Sequence, residues 1–333
     1  MQPAPELPLS APARVAQRLA EEMARVVVGQ RALIEGLLVA LLSGGHALVE
    51  GVPGLAKTTA IRTLARILGL GFGRIQFTPD LLPGDLLGTP VYQASRGAFV
   101  VRRGPIFAPV LLADEINRAP AKVQSALLEA MEERQVSIGD ETHPLPDPFF
   151  VMATQNPVEL EGTYPLPEAQ IDRFLVKLVV PYPAEDEERL IVARDAEDPA
   201  ELSQVADAAE LARLRRAAAA VHVAPSLIDY AVRLARATRD PASAGARLLD
   251  AEGAPFTGRS VALGSSPRGS IYLVRAARAR ALLDGREYVT PHDLKRVAPD
   301  VLRHRVVPSY EAEASGVNAE SVVRAVLAAV ETA

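Results

Sequence analysis

One segment, Gly51-Val52-Pro53-Gly54-Leu55-Ala56-Lys57-Thr58, constrains the fold more than any other. It is a glycine-rich loop a single residue short of the pattern G-x-x-x-x-G-K-[ST], and its flanks are the ones that pattern needs. Ala47-Leu48-Val49-Glu50 before it is a short apolar run suited to a buried strand, and Ile61, Leu64, Ala65 and Leu68 after it recur at helical spacing. Strand, loop and helix in that order let successive backbone N–H groups surround a polyphosphate at the positive end of the helix. Lys57 then reaches the outer phosphates, and the Thr58 hydroxyl can ligate Mg²⁺. The departure is Ala56, where the pattern has glycine. If that position needs φ > 0, alanine costs roughly 1–2 kcal/mol, so the expectation is either a negative φ or a strained loop.

Further along, Pro109-Val110-Leu111-Leu112-Ala113 closes on Asp114-Glu115. Such a run reads as a strand buried on both faces, and in an open parallel sheet the ligand lies beyond the carboxyl ends of the strands. Asp114 is therefore expected to hold Mg²⁺ through its water shell, and Glu115 to orient or deprotonate the attacking water. Phe149-Phe150-Val151-Met152-Ala153-Thr154 runs into Gln155-Asn156-Pro157. Placed between the other two strands, it sets the Asn156 amide near the γ-phosphate. Phe174 to Val180 and Arg74-Ile75-Gln76-Phe77 read as two more strands, and five strands with interleaved helices predict a doubly wound α/β domain.

After Pro183 the strand-like runs give way to alanine-rich helical patterns, over Glu185 to Ala196, Ala208 to Val221, Pro225 to Thr238 and, after a Thr290-Pro291 cap, from Leu294 onward. The expected organisation is a flexible tail over residues 1–22, an α/β nucleotide-binding domain over 23–183 and a smaller helical domain over 184–333. Met1 to Pro12 has neither the basic start nor the apolar centre of a signal peptide. Asp240 to Gly264, rich in Gly, Ala, Ser and Pro, is expected to be a loop. The 36 basic and 41 acidic residues give a net charge of −5, which argues against a general nucleic-acid binder. The absence of cysteine excludes disulfides and thiolate metal sites, and the five histidines show no ligand spacing. No apolar stretch is long enough to span a bilayer.

Val28-Gly29-Gln30, GVPGLAKT, LLADEINRAP, ATQNP, the run from Glu161 to Phe174 and Ser266-Pro267-Arg268 together resemble the MoxR family of AAA+ ATPases, from about Val26 to the end of the chain. In that family the loop also reads GxPGxAKT. The resemblance implies an AAA+ core with a five-stranded parallel sheet and an α-helical lid. It further implies a cytoplasmic, ring-forming ATPase, usually a hexamer, that acts as a chaperone on client proteins needing assembly or the insertion of a metal or other cofactor. A partner with a von Willebrand factor A domain belongs to the same picture. The implied nucleotide-binding set is Val28, Gly29, Gly51, Val52, Pro53, Gly54, Leu55, Ala56, Lys57, Thr58, Thr59 and Asp114, with Thr58 and Asp114 on Mg²⁺ and Glu115 and Asn156 in catalysis.

Two arginines gain roles only from this resemblance. Arg173 matches the arginine finger that reaches the γ-phosphate of a neighbouring subunit, and Arg268 matches the second sensor, acting in its own subunit or the next. Pro90 to Arg102 reads as a hairpin and resembles the helix-2 insert that faces the ring's pore, where Arg102 and Arg103 are candidates for client contact. Gln135 to Thr142 resembles the hairpin before the first sensor. Two other classes stay open, a DNA-acting AAA+ motor and a magnesium-chelatase-type subunit. An activator of transcription fits less well, because Gly97-Ala98-Phe99 continues as Val-Val-Arg rather than Thr-Gly-Ala.

Overall fold

The computed structural model describes residues 10–95, 97–158, 163–195 and 201–332. Met1 to Leu9, Arg96, Glu161, Gly162 and Ala196, which carry parts of the expectations above, lie outside the described residues.

The first helix, α1 (Ala11–Ala24), places Ala13, Ala16, Leu19 and Met23 in the core. These recur at three- and four-residue intervals, the period of an amphipathic helix. The flexible tail expected over residues 1–22 is corrected here: from Ala11 onward the chain is a packed helix, because alanines that look featureless in sequence form its apolar face. α2 (Arg31–Leu42) leads into β1 (Ala47–Glu50), and α3 (Lys57–Ile67) into β2 (Phe72–Gln76). The short α4 (Pro83–Leu87) precedes an antiparallel hairpin of β3 (Gly88–Gln93) and β4 (Ala98–Arg103). β5 (Val110–Asp114) and α5 (Ala121–Glu133) follow, then a second hairpin of β6 (Gln135–Ile138) and β7 (Glu141–Pro144). β8 (Phe150–Gln155), the one-turn α6 (Glu168–Ile171) and β9 (Val176–Val179) complete this half.

The central sheet runs β2-β5-β8-β1-β9 with all its pairings parallel. Val110 to Ala113 on β5 and Phe150 to Ala153 on β8 are buried throughout, as strands covered on both faces must be. The register sets Glu50 opposite Gln155 and Val179, and Gln76 opposite Asp114. Gly51, Gln76, Glu115 and Asn156 therefore leave the sheet at one end. Across the first hairpin Tyr92 and Phe99 make an edge-to-face contact at 5.4 Å while both stay exposed, and Arg103 lies over the Phe107 ring at 4.9 Å.

The helical half opens with α7 (Glu185–Asp195), α8 (Ala208–Ala220) and α9 (Pro225–Ala237). The stretch expected as a loop over Asp240 to Gly264 ends in β10 (Val261–Leu263), ahead of α10 (Pro267–Leu283) and α11 (Pro291–Leu302). β11 (Val307–Pro308) pairs with β10 before α12 (Tyr310–Ala314) and α13 (Ala319–Ala329). Side-chain caps fix several starts: Asp207 accepts from the Glu210 N–H, Ser266 from Arg268 and Asn318 from Ser321. Thr290 and Asp293 form a reciprocal capping box at α11. Among the described residues no helix is long and apolar enough to cross a membrane.

His46 ties β8 to α5. Its Nδ1 accepts from the Val151 N–H at 3.0 Å and its Nε2 donates to Met131 O at 3.3 Å, a pairing only the neutral ring can make. Burial, helped by the Arg134 guanidinium, pushes its pKa down to about 3. The unfolded chain takes up this proton near pH 6.5, so between there and about pH 3 the unfolded state binds more protons and stability falls as pH falls. His304, buried beside Arg305, is depressed in the same direction. Urea midpoints measured from pH 7 to pH 4 should decline, and His46→Asn should flatten the slope by as much as about 1.4 kcal/mol per pH unit. An unchanged slope would count against the neutral buried ring.

Candidate functional site

The loop between β1 and α3 turns twice through left-handed backbone, at Gly54 with φ 86° and at Ala56 with φ 54°. Of the two expectations for Ala56 the strained one holds, at a cost of roughly 1–2 kcal/mol relative to a right-handed residue. Alternation between right- and left-handed backbone is what turns consecutive N–H groups into an anion-binding concavity. Lys57, the first residue of α3, donates its Nζ to Gly51 O across the loop. Burial pulls its ammonium below the ordinary lysine value, and the Asp114 and Glu115 carboxylates oppose that shift.

The Asp114 carboxylate and the turn at Glu115 are fixed by Thr154, a member of the ATQNP segment to which the sequence assigns no role. Thr154, on the neighbouring strand β8, donates its hydroxyl to Asp114 Oδ1 at 2.6 Å and accepts the Glu115 N–H at 2.9 Å. Glu115 itself is left-handed, with φ 57°, and this turn takes its side chain out of the strand's alternation. Its Oε2 then accepts from Gln76 Nε2 at 2.7 Å and from Arg118 Nη1 at 3.0 Å. Asp114 Oδ2 pairs with Arg74 at 2.7 Å. Gln76 and Arg74 sit on β2, a segment that reads as a strand but whose sequence gives no sign of these contacts, which follow from the end of β2 lying beside the end of β5.

These groups surround a cavity of about 630 Å³, within the range of small-molecule sites. Of the expected nucleotide-binding residues, Val28, Pro53 to Thr59 and Asp114 line it, as do Glu115 and Asn156. Gly51 and Val52 lie at the base of the loop, and Gly29 turns the backbone beside Val28 with φ 71°. The cavity's polar end holds Lys57, Thr58 and the acids. Val26, Val28, Pro183 and Ile191 add apolar surface to its lining. Pro183 and Ile191 escaped sequence reasoning because they follow the last sheet strand and reach the cavity only through the turn into α7.

Arg173 and Arg268 lie elsewhere. Arg173 Nε pairs with Glu132 Oε2 at 2.8 Å, and Arg268 Nη2 with Glu132 Oε1 at 2.7 Å, so one carboxylate gathers both. Neither arginine lines the cavity that holds Lys57. Arg173 precedes the start of β9, whereas Lys57 follows the end of the parallel strand β1 beside it, so the two sit at opposite ends of the sheet. Next to Arg173, Asp172 accepts from Arg305 Nε at 2.7 Å and from Ser266 Oγ at 2.9 Å. Arg305 is buried and also donates to the carbonyls of Asp172, at 2.9 Å, and Phe174. Burial draws its guanidinium down to about 10 against the pull of Asp172.

A phosphate loop at the end of a five-stranded parallel sheet, two acids where β5 ends one strand away across β8, and a helical lid define an AAA-type ATPase. Residues 46–176 match the family described as ATPase family associated with various cellular activities (AAA), and residues 256–326 match the AAA lid domain. The chain is 50% identical over 319 residues to Chaperone MoxR1 of Mycobacterium tuberculosis, covering 96% of this chain and 82% of that protein. It is 39% identical over 301 residues to Protein MoxR of Paracoccus denitrificans, covering 86% and 87%. A crystal structure from Cytophaga hutchinsonii superposes with a TM-score of 0.87 at 45% identity, covering 97% of this chain and 96% of that one. The chain belongs to the MoxR family of AAA+ ATPases.

Proposed function

We propose that this ATPase works as one protomer of a ring, a hexamer by its resemblance, with each ATP held in one protomer and completed by the arginines of the next. The observation that carries this reading is the separation of Arg173 and Arg268 from the cavity of Lys57, together with their convergence on Glu132. A guanidinium at the far end of the sheet serves a phosphate only when that phosphate belongs to another protomer.

Within the cavity the loop N–H groups and Lys57 bind the β- and γ-phosphates. The Thr58 hydroxyl and Asp114 carboxylate are hard oxygen donors lining the same space, which suits Mg²⁺, a cation that takes one or two protein oxygens and fills its shell with phosphates and water. When bound, the cation neutralises charge on the phosphate oxygens. Glu115 takes a proton from the attacking water, and the Asn156 amide holds that water in line with the γ-phosphorus. Arg173, with Arg268 beside it, meets the charge that develops on the γ-phosphoryl oxygens.

The work done is proposed to be that of a cytoplasmic chaperone. Hydrolysis would move the exposed Tyr92–Phe99 hairpin against a client protein, with a von Willebrand factor A partner directing client choice and metal or other cofactor insertion as the outcome. The relative named Chaperone MoxR1 supports the chaperone reading. The test is phosphate release per protomer against protein concentration. It should rise steeply as rings assemble, in step with the ring population seen by analytical ultracentrifugation; a rate per protomer independent of assembly would defeat the shared site.

A further inference from the structure

A second cavity, of about 360 Å³, opens where the loop after α2 meets α8 and α10. Its walls are Ser43 and Gly44 on the α/β side and Arg215, Arg275 and Arg278 on the lid side, with Ala218 and Ala219 between. Gly44 has φ 68° and no atom lies within 4 Å of where a β-carbon would stand, so the space above it is open. Three guanidinium groups face this space, and no carboxylate is among the described residues that line it. Arg134, which donates to Gly44 O at 3.0 Å, adds a fourth positive charge beneath.

Two of these groups are short of partners. Arg215 Nη2 and Arg278 Nε are buried atoms with no hydrogen-bond partner among the described residues. Arg215 spends its Nε on Leu41 O at 2.9 Å, and the acid nearest to it, Asp147, stands 3.7 Å away and is itself almost fully exposed. Arg275 lies over the Tyr272 ring at 5.9 Å. Burial and the neighbouring Arg134 charge both lower the Arg215 pKa, and the Asp147 carboxylate opposes them only in part. Buried donors left unpaired are costly, and clustered arginines with free N–H groups match oxyanions bidentately. In a chain of net charge −5 this concentration is not a reflection of overall basicity.

We infer that this cavity binds a small polyvalent phosphate-class oxyanion, gripped by Arg215, Arg275 and Arg278 and bracing the lid helices against the loop at Ser43–Gly44. The cavity exceeds what a lone phosphate fills, and three cations favour a multiply charged ligand, so pyrophosphate is the probe of choice. The site is separate from the nucleotide cavity, and it stands whether or not the ring reading does.

The experiment is calorimetric titration of pyrophosphate into the full chain carrying Lys57→Ala, which weakens the phosphate grip of the nucleotide cavity. One binding event is expected, tighter than for inorganic phosphate or sulfate and persisting in sodium chloride of matched ionic strength. Adding Arg278→Gln or Arg215→Gln should weaken it at least tenfold, while Arg62→Gln, which removes an arginine over Phe72 that does not line this cavity, should leave it unchanged. Circular dichroism checks folding; should Arg215→Gln fail it, Arg278→Gln decides. Absence of binding, loss of it in matched chloride, or equal affinity with and without the Arg278 side chain overturns the inference.

Discussion

Replacing Glu115 by Gln is expected to cut ATP turnover by about 10²–10⁴, the worth of a positioned general base, while ATP binding survives. The amide keeps the shape of the carboxylate and can still meet Gln76 and Arg118, so the loss isolates the proton-accepting function from the folding of the turn. Glu115 is held out of strand alternation by its left-handed backbone and by the bond from its N–H to Thr154. That arrangement survives the substitution, because it rests on the main chain. Equilibrium binding of a fluorescent ATP analogue, set beside phosphate release, reads both halves of the expectation. Turnover within threefold of the unsubstituted protein would remove Glu115 from the proton transfer.

Arg173→Ala should be as damaging by a different route. An arginine finger is worth about 10³–10⁵ in rate, which corresponds to roughly 4–7 kcal/mol of barrier. Its removal leaves Lys57, Asp114 and Glu115 of the same chain untouched, since none of them contacts Arg173. Mixing Arg173→Ala protomers with Glu115→Gln protomers should therefore restore part of the activity, as each intact acid site receives its arginine from a Glu115→Gln neighbour. Two inactive preparations that stay inactive after mixing and ring formation would place both groups in one chain's site. Glu132 makes the geometry of this test plain: it holds Arg173 and Arg268 on a surface partly open to solvent, where a neighbour can take them over.

How much of this was readable beforehand depends on the range of the interactions involved. The phosphate loop, β5 with Asp114, and β8 with Asn156 announce themselves because each is a local pattern: an apolar run buried on both faces followed at once by polar residues. The positions of Gln76, Arg74 and Thr154 could not be read, because their partners are 39 or 40 residues away and meet only through sheet register. α1 was lost for the opposite reason. Its pattern is local, yet it is written in alanine, whose burial gains little per residue, and it follows a proline-rich start of the kind found in unstructured tails. Arg173 and Arg268 came by resemblance alone, and nothing in their spacing distinguishes them from the many arginines that decorate the lid.

The bond between Asp172 and Arg305 has a mechanical meaning. Arg305 sits just past α11 in the helical half, and it clamps the main chain on both sides of Arg173 by donating to the carbonyls of Asp172 and Phe174. A segment held by so many buried donors has no freedom to swivel on its own. Any rotation of the helices must carry the main chain at Arg173 with it, as a tooth moves with its gear, so that in the proposed ring a turn in one protomer would be felt as an arrival or a withdrawal in the next.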